Sequence, residues 1–203
     1  MSTLREYEQA LERDPTQKEP FLALRKAYRE SGTWDKLITL YEMRAQALTD
    51  APKASELFYL AAEIRLDHLD DSEGAEADLA HAIDRDPENA KAAHRLKLLY
   101  RQQGRPAEYM TMLEVEAGAV GHSKDPARIA ELSTELGLFA KESFAKLERA
   151  AGLSASQRQA EVTPEALKLV ESARKIYRAL GDFQSVVRLY ELELSLTSEA
   201  KRR

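Results

Sequence analysis

The 203-residue sequence predicts an all-α fold of stacked helical hairpins. Three observations carry that expectation. The chain repeats itself, each copy divides into two apolar-striped segments about a glycine, and turn-forming residues are scarce. Gly and Pro number 8 and 7, fewer than the many short strands and turns of a β-sandwich or barrel require.

The repeat is visible when residues 25–42, RKAYRESGTWDKLITLYE, are laid over residues 174–191, RKIYRALGDFQSVVRLYE. Arg25/Arg174, Lys26/Lys175, Tyr28/Tyr177, Arg29/Arg178, Gly32/Gly181, Leu40/Leu189, Tyr41/Tyr190 and Glu42/Glu191 coincide without a gap. Residues 97–114, KLLYRQQGRPAEYMTMLE, form a third copy that keeps Tyr100, Arg101, Gly104, Leu113 and Glu114. Self-similarity of this kind marks a repeat architecture.

Each copy is patterned as two helices. Leu24, Ala27 and Tyr28 stand at i, i+3 and i+4 and make one apolar stripe; Leu37, Ile38 and Tyr41 make a second. Gly32, Gly104 and Gly181 stop the first helix, since glycine takes a left-handed conformation beyond a helix end at little steric cost. Pro106 sits near a first-turn position, where its missing N–H does no harm. Thr163-Pro164-Glu165 reads as a helix start with cap, proline and early acid. Residues 125–143, DPARIAELSTELGLFAKES, have the pattern of a long helix. Residues 147–162 lack a full apolar stripe, so 151–162 is expected to be an irregular or short helical segment, a loop or hinge within a degenerate unit.

Composition narrows the function. With no Cys there is no disulfide framework, thiolate metal site or thiol nucleophile. The charged N-terminus MSTLREYEQ is not a secretory leader, and no apolar run nears the about 18 residues of a membrane helix. A net charge of −5 disfavours nucleic acid as partner. No phosphate loop or HExxH motif is present, and His68, His81, His94 and His122 are spaced too widely to share a helical turn. The acidic stretch 67–73 lacks calcium-loop spacing and reads as a solvated turn. The expectation is a non-enzymatic, cytoplasmic protein with no cofactor and no metal. The tyrosines Tyr28, Tyr41, Tyr100, Tyr177 and Tyr190, at helical spacing, are expected in the core with their hydroxyls partnered at helix seams.

Phe21, Leu24, Tyr28, Gly32, Trp34 and Tyr41 within 18–51 resemble the tetratricopeptide repeat, a unit of about 34 residues built as two antiparallel helices. Leu96, Tyr100, Gly104 and Leu113 within 90–123 follow the same pattern, as do Tyr177, Gly181, Phe183 and Tyr190 within 167–200. Ala75, Leu79, Ala82, Ile83 and Pro87 close a unit at 56–89, and Tyr7, Ala10, Leu11 and Pro15 form a leading half-unit at 1–17. Residues 124–163 form a degenerate unit. The resemblance implies a single right-handed α-α superhelix over the whole chain. Departures are concentrated at two places: Arg25, Lys97 and Arg174 replace a small residue, and Arg44, Glu116 and Glu193 replace a late Ala. They imply helix packing closer to the half-a-TPR relatives. The first helix of 56–89 also runs one residue long before its turn.

What the resemblance implies for function is a peptide or partner protein held in a concave groove lined by the first helices. The positions carried over are Leu22, Lys26 and Arg29; Lys91, His94, Leu98 and Arg101; and Lys175 and Arg178, with Lys168 and Glu171 beside them. Arg29, Arg101 and Arg178 each follow a Tyr, and their planar forks suit acidic ligand groups. Against this, a cation at a helix C-terminus also serves the helix dipole. The carboxylate clamp of the chaperone-tail binders is matched by Lys91 and Arg95 alone, with Leu22, Lys26 and Ala61 at its other places, so that ligand is disfavoured. The alternative is a structural segment of a longer array or a self-associating assembly element without a groove ligand.

Overall fold

The same pair of backbone hydrogen bonds closes three helix ends. In the computed structural model, which describes residues 3–152 and 162–197 apart from the side chains of 119–123 and 146, the N–H of Gly32, Gly104 and Gly181 donates to the carbonyl of Arg29, Arg101 and Arg178 at 3.3, 3.2 and 3.1 Å. The next N–H, of Thr33, Arg105 and Asp182, donates to the carbonyl of Tyr28, Tyr100 and Tyr177, each at 2.9 Å. This is the Schellman termination, which requires a left-handed residue just past the helix. The three glycines supply it with φ of 67, 65 and 79°. The repeated Tyr-Arg-x-x-Gly is thus the signature of a helix end.

The described residues form ten α-helices, and by contacts the chain divides into two units between Leu99 and Tyr100. The first unit holds α1 (Leu4–Arg13), α2 (Lys18–Ser31), α3 (Trp34–Ala47), α4 (Ala51–Ile64), α5 (Ser72–Arg85) and most of α6 (Ala90–Gln102). The second holds the end of α6, α7 (Pro106–Ser123), α8 (Pro126–Ala151), α9 (Pro164–Leu180) and α10 (Phe183–Thr197). The irregular segment expected at 151–162 falls almost wholly on 153–161, outside the described residues. Thr163 caps α9 as the sequence predicts, its hydroxyl accepting from the Ala166 N–H at 3.2 Å.

In the first unit, Leu11, Phe21, Leu24, Tyr28, Leu37, Ile38, Leu40, Tyr41 and Ala61 form one core. Burying a leucine of this kind contributes roughly 1.5–3 kcal/mol. Tyr28 lies inside, and its hydroxyl donates to Glu8 of α1 at 2.6 Å. α4 and α5 approach closely because Ala54, Ala61, Ala62, Ala75 and Ala82 are all fully buried at small size. The buried Ser55 hydroxyl donates across that seam to the Ala82 carbonyl at 2.7 Å.

The extra residue noted at the second unit of the sequence pattern is absorbed in a single π-turn, Arg65–Leu69, continuing α4. Asp70 ends it with a left-handed φ of 52°, its N–H donating to the Arg65 carbonyl. Asp does the work here that glycine does elsewhere. The acidic stretch is therefore more than a solvated turn. Arg65 bonds Glu42 at 2.6 Å, Asp71 at 2.7 Å and Asp78 at 2.8 Å, joining α3 to both ends of the π-turn and to α5. Asp71 also accepts the Gly74 N–H at 2.9 Å, capping α5. A Cβ on Gly74 would lie 2.7 Å from the Arg65 guanidinium and 2.2 Å from Asp71, so this glycine makes room for the cluster.

The second unit departs from simple alternation. α7 packs along more of its length on α9 than on α8, and α8 in turn packs on α9 and α10. The core joins Tyr109, Met110 and Leu113 of α7, Leu132, Leu136, Phe139, Phe144 and Leu147 of α8, and Val170, Ile176 and Tyr177 of α9. α8 extends through residues 147–151, past the 125–143 stretch whose pattern marks a helix, because Leu147 and Ala150 reach this core although no full stripe announces them. Tyr190 is a second correction. It is 46% exposed, whereas its counterpart Tyr41 is 7% exposed.

The charged residues at normally small seam positions are satisfied rather than loose. Arg44 lies 4.3 Å over the Phe21 ring and donates to the carbonyls of Pro15 and Gln17 at 3.2 and 2.8 Å. Arg174 pairs with Glu193 and lies 4.0 Å over the Tyr190 ring. Glu116 pairs with Arg128 at 2.6 Å.

Two outcomes follow from this geometry. Nothing lies within 4 Å of a Cβ built on Gly104, so Gly104→Ala isolates backbone strain and should lower the unfolding free energy in urea by about 1 kcal/mol. Burial pushes the Asp78 carboxyl up to about 6, with the Arg65 bond opposing and the Glu42 charge adding to the rise. The folded state then holds this proton more tightly than the unfolded state. Its contribution to stability therefore falls as pH rises from 3.8 to about 6. Asp71 has the opposite sign: the Gly74 N–H and Arg65 lower it, so its contribution is lost as pH drops below its ordinary range. Urea midpoints at pH 4–7 should fall less steeply for Asp78→Asn than for the wild type.

Candidate functional site

α2 presents Leu22, Lys26 and Arg29 at i, i+4 and i+7, all exposed, while Phe21, Leu24 and Tyr28 turn to the core. The helix period alone separates the two faces. Lys26 has a loose i,i+4 contact with Glu30 at 3.9 Å. Arg29 stands at the rim of a cleft of about 380 Å³ lined by Trp34, Leu37, Tyr41, Leu60, Glu63, Ile64, Asp67 and His68.

The neighbouring face of this unit is built by α4 and α6. Lys91 pairs with Glu56 at 3.2 Å and lies 5.8 Å from the Tyr59 ring centroid. Arg95 bonds Glu63 at 2.6 Å and reaches Asp67 at 4.0 Å. Burial raises the Tyr59 hydroxyl pKa, and the Glu63 charge adds to the rise, so this phenol stays protonated and can donate. His94 is exposed and Leu98 half-buried on α6. The cations and anions along this face alternate from helix to helix.

In the second unit Arg101 meets Glu142 of α8 at 3.5 Å, and Arg178 donates to the Tyr190 hydroxyl at 3.2 Å. Lys175 pairs with Glu171 at 3.4 Å. Arg29, Arg101 and Arg178 all stand in the last turn of their helices, where a cation complements the dipole. Arg101 and Arg178 thus have structural partners.

Sequence reasoning passed over Glu56, Tyr59 and Glu63, met Asp67 only within the acidic turn, and met Arg95 only in testing the carboxylate clamp. Their signal was present as acids on α4 facing bases on α6, but the one-residue irregularity at 65–69 blurred which α4 residues share the face. The histidines are dispersed: His68 stacks on Trp34 at 3.8 Å, and His81 packs on Phe58 at 5.2 Å. Among the described residues, no helix is long and apolar enough to cross a membrane.

Hairpins that repeat a tyrosine, a terminal cation and a left-handed glycine define a helical-hairpin repeat protein. Residues 21–54, overlapping the 18–51 unit, match the model of the tetratricopeptide repeat. The family is one of protein-interaction and scaffold modules, generally without catalysis. No curated protein sequence matches the chain. Among solved structures, BtubC (BKLC) from P. vanneervenii is similar at 18% identity and a TM-score of 0.45, over 98% of this chain and 89% of that one. MamA is similar at 18% identity and a TM-score of 0.41, over 98% of this chain and 84% of that one.

Proposed function

We propose that the chain is a non-enzymatic adaptor that holds an acidic peptide segment of a partner protein against the exposed faces of its first helices. Leu22, Lys26 and Arg29 carry the reading: an apolar contact and two cations on one face of α2, beside a cleft with aromatic walls. The leucine buries an apolar ligand side chain, and Arg29 offers a bidentate fork to a carboxylate. Lys91, His94, Leu98 and Arg101 extend the face on α6, and Lys175 and Arg178 offer the same chemistry on α9. The ligand is an extended or helical acidic segment with at least one apolar anchor.

The test compares pull-downs from native lysate by the wild type and by the Arg29→Glu, Arg101→Glu, Arg178→Glu triple variant, after circular dichroism has matched their helicity. The expected result is one prey retained by the wild type and lost by the variant, with crosslinks from α2 and α6 to an acidic segment. Equal retention by both proteins would leave the arginines as helix-end cations and move binding to another surface.

A further inference from the structure

α10 is apolar on two sides. Val186, Leu189 and Leu196 enter the core of the second unit. Phe183, Val187, Tyr190 and Leu194, at i, i+4, i+7 and i+11, stand 65, 55, 46 and 65% exposed. A helix that is apolar beyond one stripe is ordinarily buried on more than one side. Side chains of this size in one continuous row are also unusual on a free surface.

The chain itself shows what covers such a row. In the register that superposes residues 25–42 on 174–191, these four positions are Trp34, Ile38, Tyr41 and Ala45 of α3. Ile38, Tyr41 and Ala45 are 3, 7 and 0% exposed. α4 packs along α3, with Ala61, Leu57, Leu60 and Ile64 in the same core as Ile38 and Tyr41, and His68 stacked on Trp34. A polar contact accompanies the apolar one. Glu42 of α3 pairs with Arg65, which directly follows α4, at 2.6 Å. Its counterpart on α10 is Glu191, conserved within the repeat as an identical residue and exposed.

We propose that the outer face of α10 docks an amphipathic helix of a partner, one with a small-residue and leucine stripe followed within about a turn by an arginine or lysine that pairs with Glu191. One feature favours this occupant over a second copy of α10: the row offers large side chains at every position and no hollows, whereas close helix packing sets knobs into the spaces left by smaller residues. Tyr190 is held ready: Arg174 backs its ring at 4.0 Å, and Arg178 bonds its hydroxyl. This surface meets the first-helix face at Arg178, which bonds the Tyr190 hydroxyl, and its test leaves the groove cations unsubstituted.

The probe is a helix-stabilised, fluorescent peptide of residues 51–69, the segment that covers the equivalent face of α3, titrated into the full chain. Saturable anisotropy is expected, weakened at least about tenfold by Val187→Glu or Leu194→Glu. Both sites are exposed, so circular dichroism should show the variants folded. Glu191→Lys should weaken binding about threefold, and a peptide carrying Arg65→Glu should recover that loss on the Glu191→Lys chain. Absence of binding up to about 1 mM would overturn the proposal, as would binding indifferent to Val187→Glu. Sedimentation supplies the third arm: a concentration-dependent dimer of the full chain abolished by Val187→Glu would assign the face to a second copy instead.

Discussion

Left-handed glycine at the end of a first helix is the constraint on which the hairpins depend. Once Gly32, Gly104 or Gly181 takes positive φ, two N–H groups are committed to the carbonyls of the preceding Arg and Tyr, and the helix gives way to the next over two or three residues. Reversal brings the second helix onto the stripe that carries the tyrosine. For α2 and α9, the residue that marks the helix end on the backbone is also buried by its side chain: Tyr28 and Tyr177 are 8 and 7% exposed. Local hydrogen bonding and long-range packing therefore select the same residue types, which is why Tyr-Arg-x-x-Gly recurs.

That agreement explains what was legible in the sequence. Helix ends, the Thr163 start, the core faces of α2 and α3 and the repeat family all follow from short-range periodicity and turn chemistry. Other features depend on which distant helix arrives on which face. Residues 147–151 are helical because the core of the second unit receives Leu147 and Ala150, a fact that no local stripe contains. Tyr190 matches Tyr41 in the repeat yet differs in burial, because α4 covers one and no described helix covers the other. The partners of Lys91 and Arg95 lie more than 30 residues away on α4, beyond the reach of spacing rules.

Cations following the tyrosines illustrate a related division. Their placement at helix ends has a sufficient electrostatic cause, and Arg101 and Arg178 make contacts inside their own unit. Arg29 differs through its setting beside an open, aromatic-walled cleft. Identical residues in a repeat thus take on unequal duties according to what their neighbours leave exposed.

The π-turn at Arg65–Leu69 has a consequence for how this chain tolerates change in length. One added residue in a regular helix turns everything beyond it by about 100°, which would carry the apolar faces of all later helices out of register. Here the surplus is confined within five residues, and Asp70 restores the reversal before α5 begins. Arg65, at the first position of the bulge, ties the lengthened segment to the helices on either side. An insertion is thereby quarantined: the second hairpin carries it, and the hairpins beyond it keep their phase.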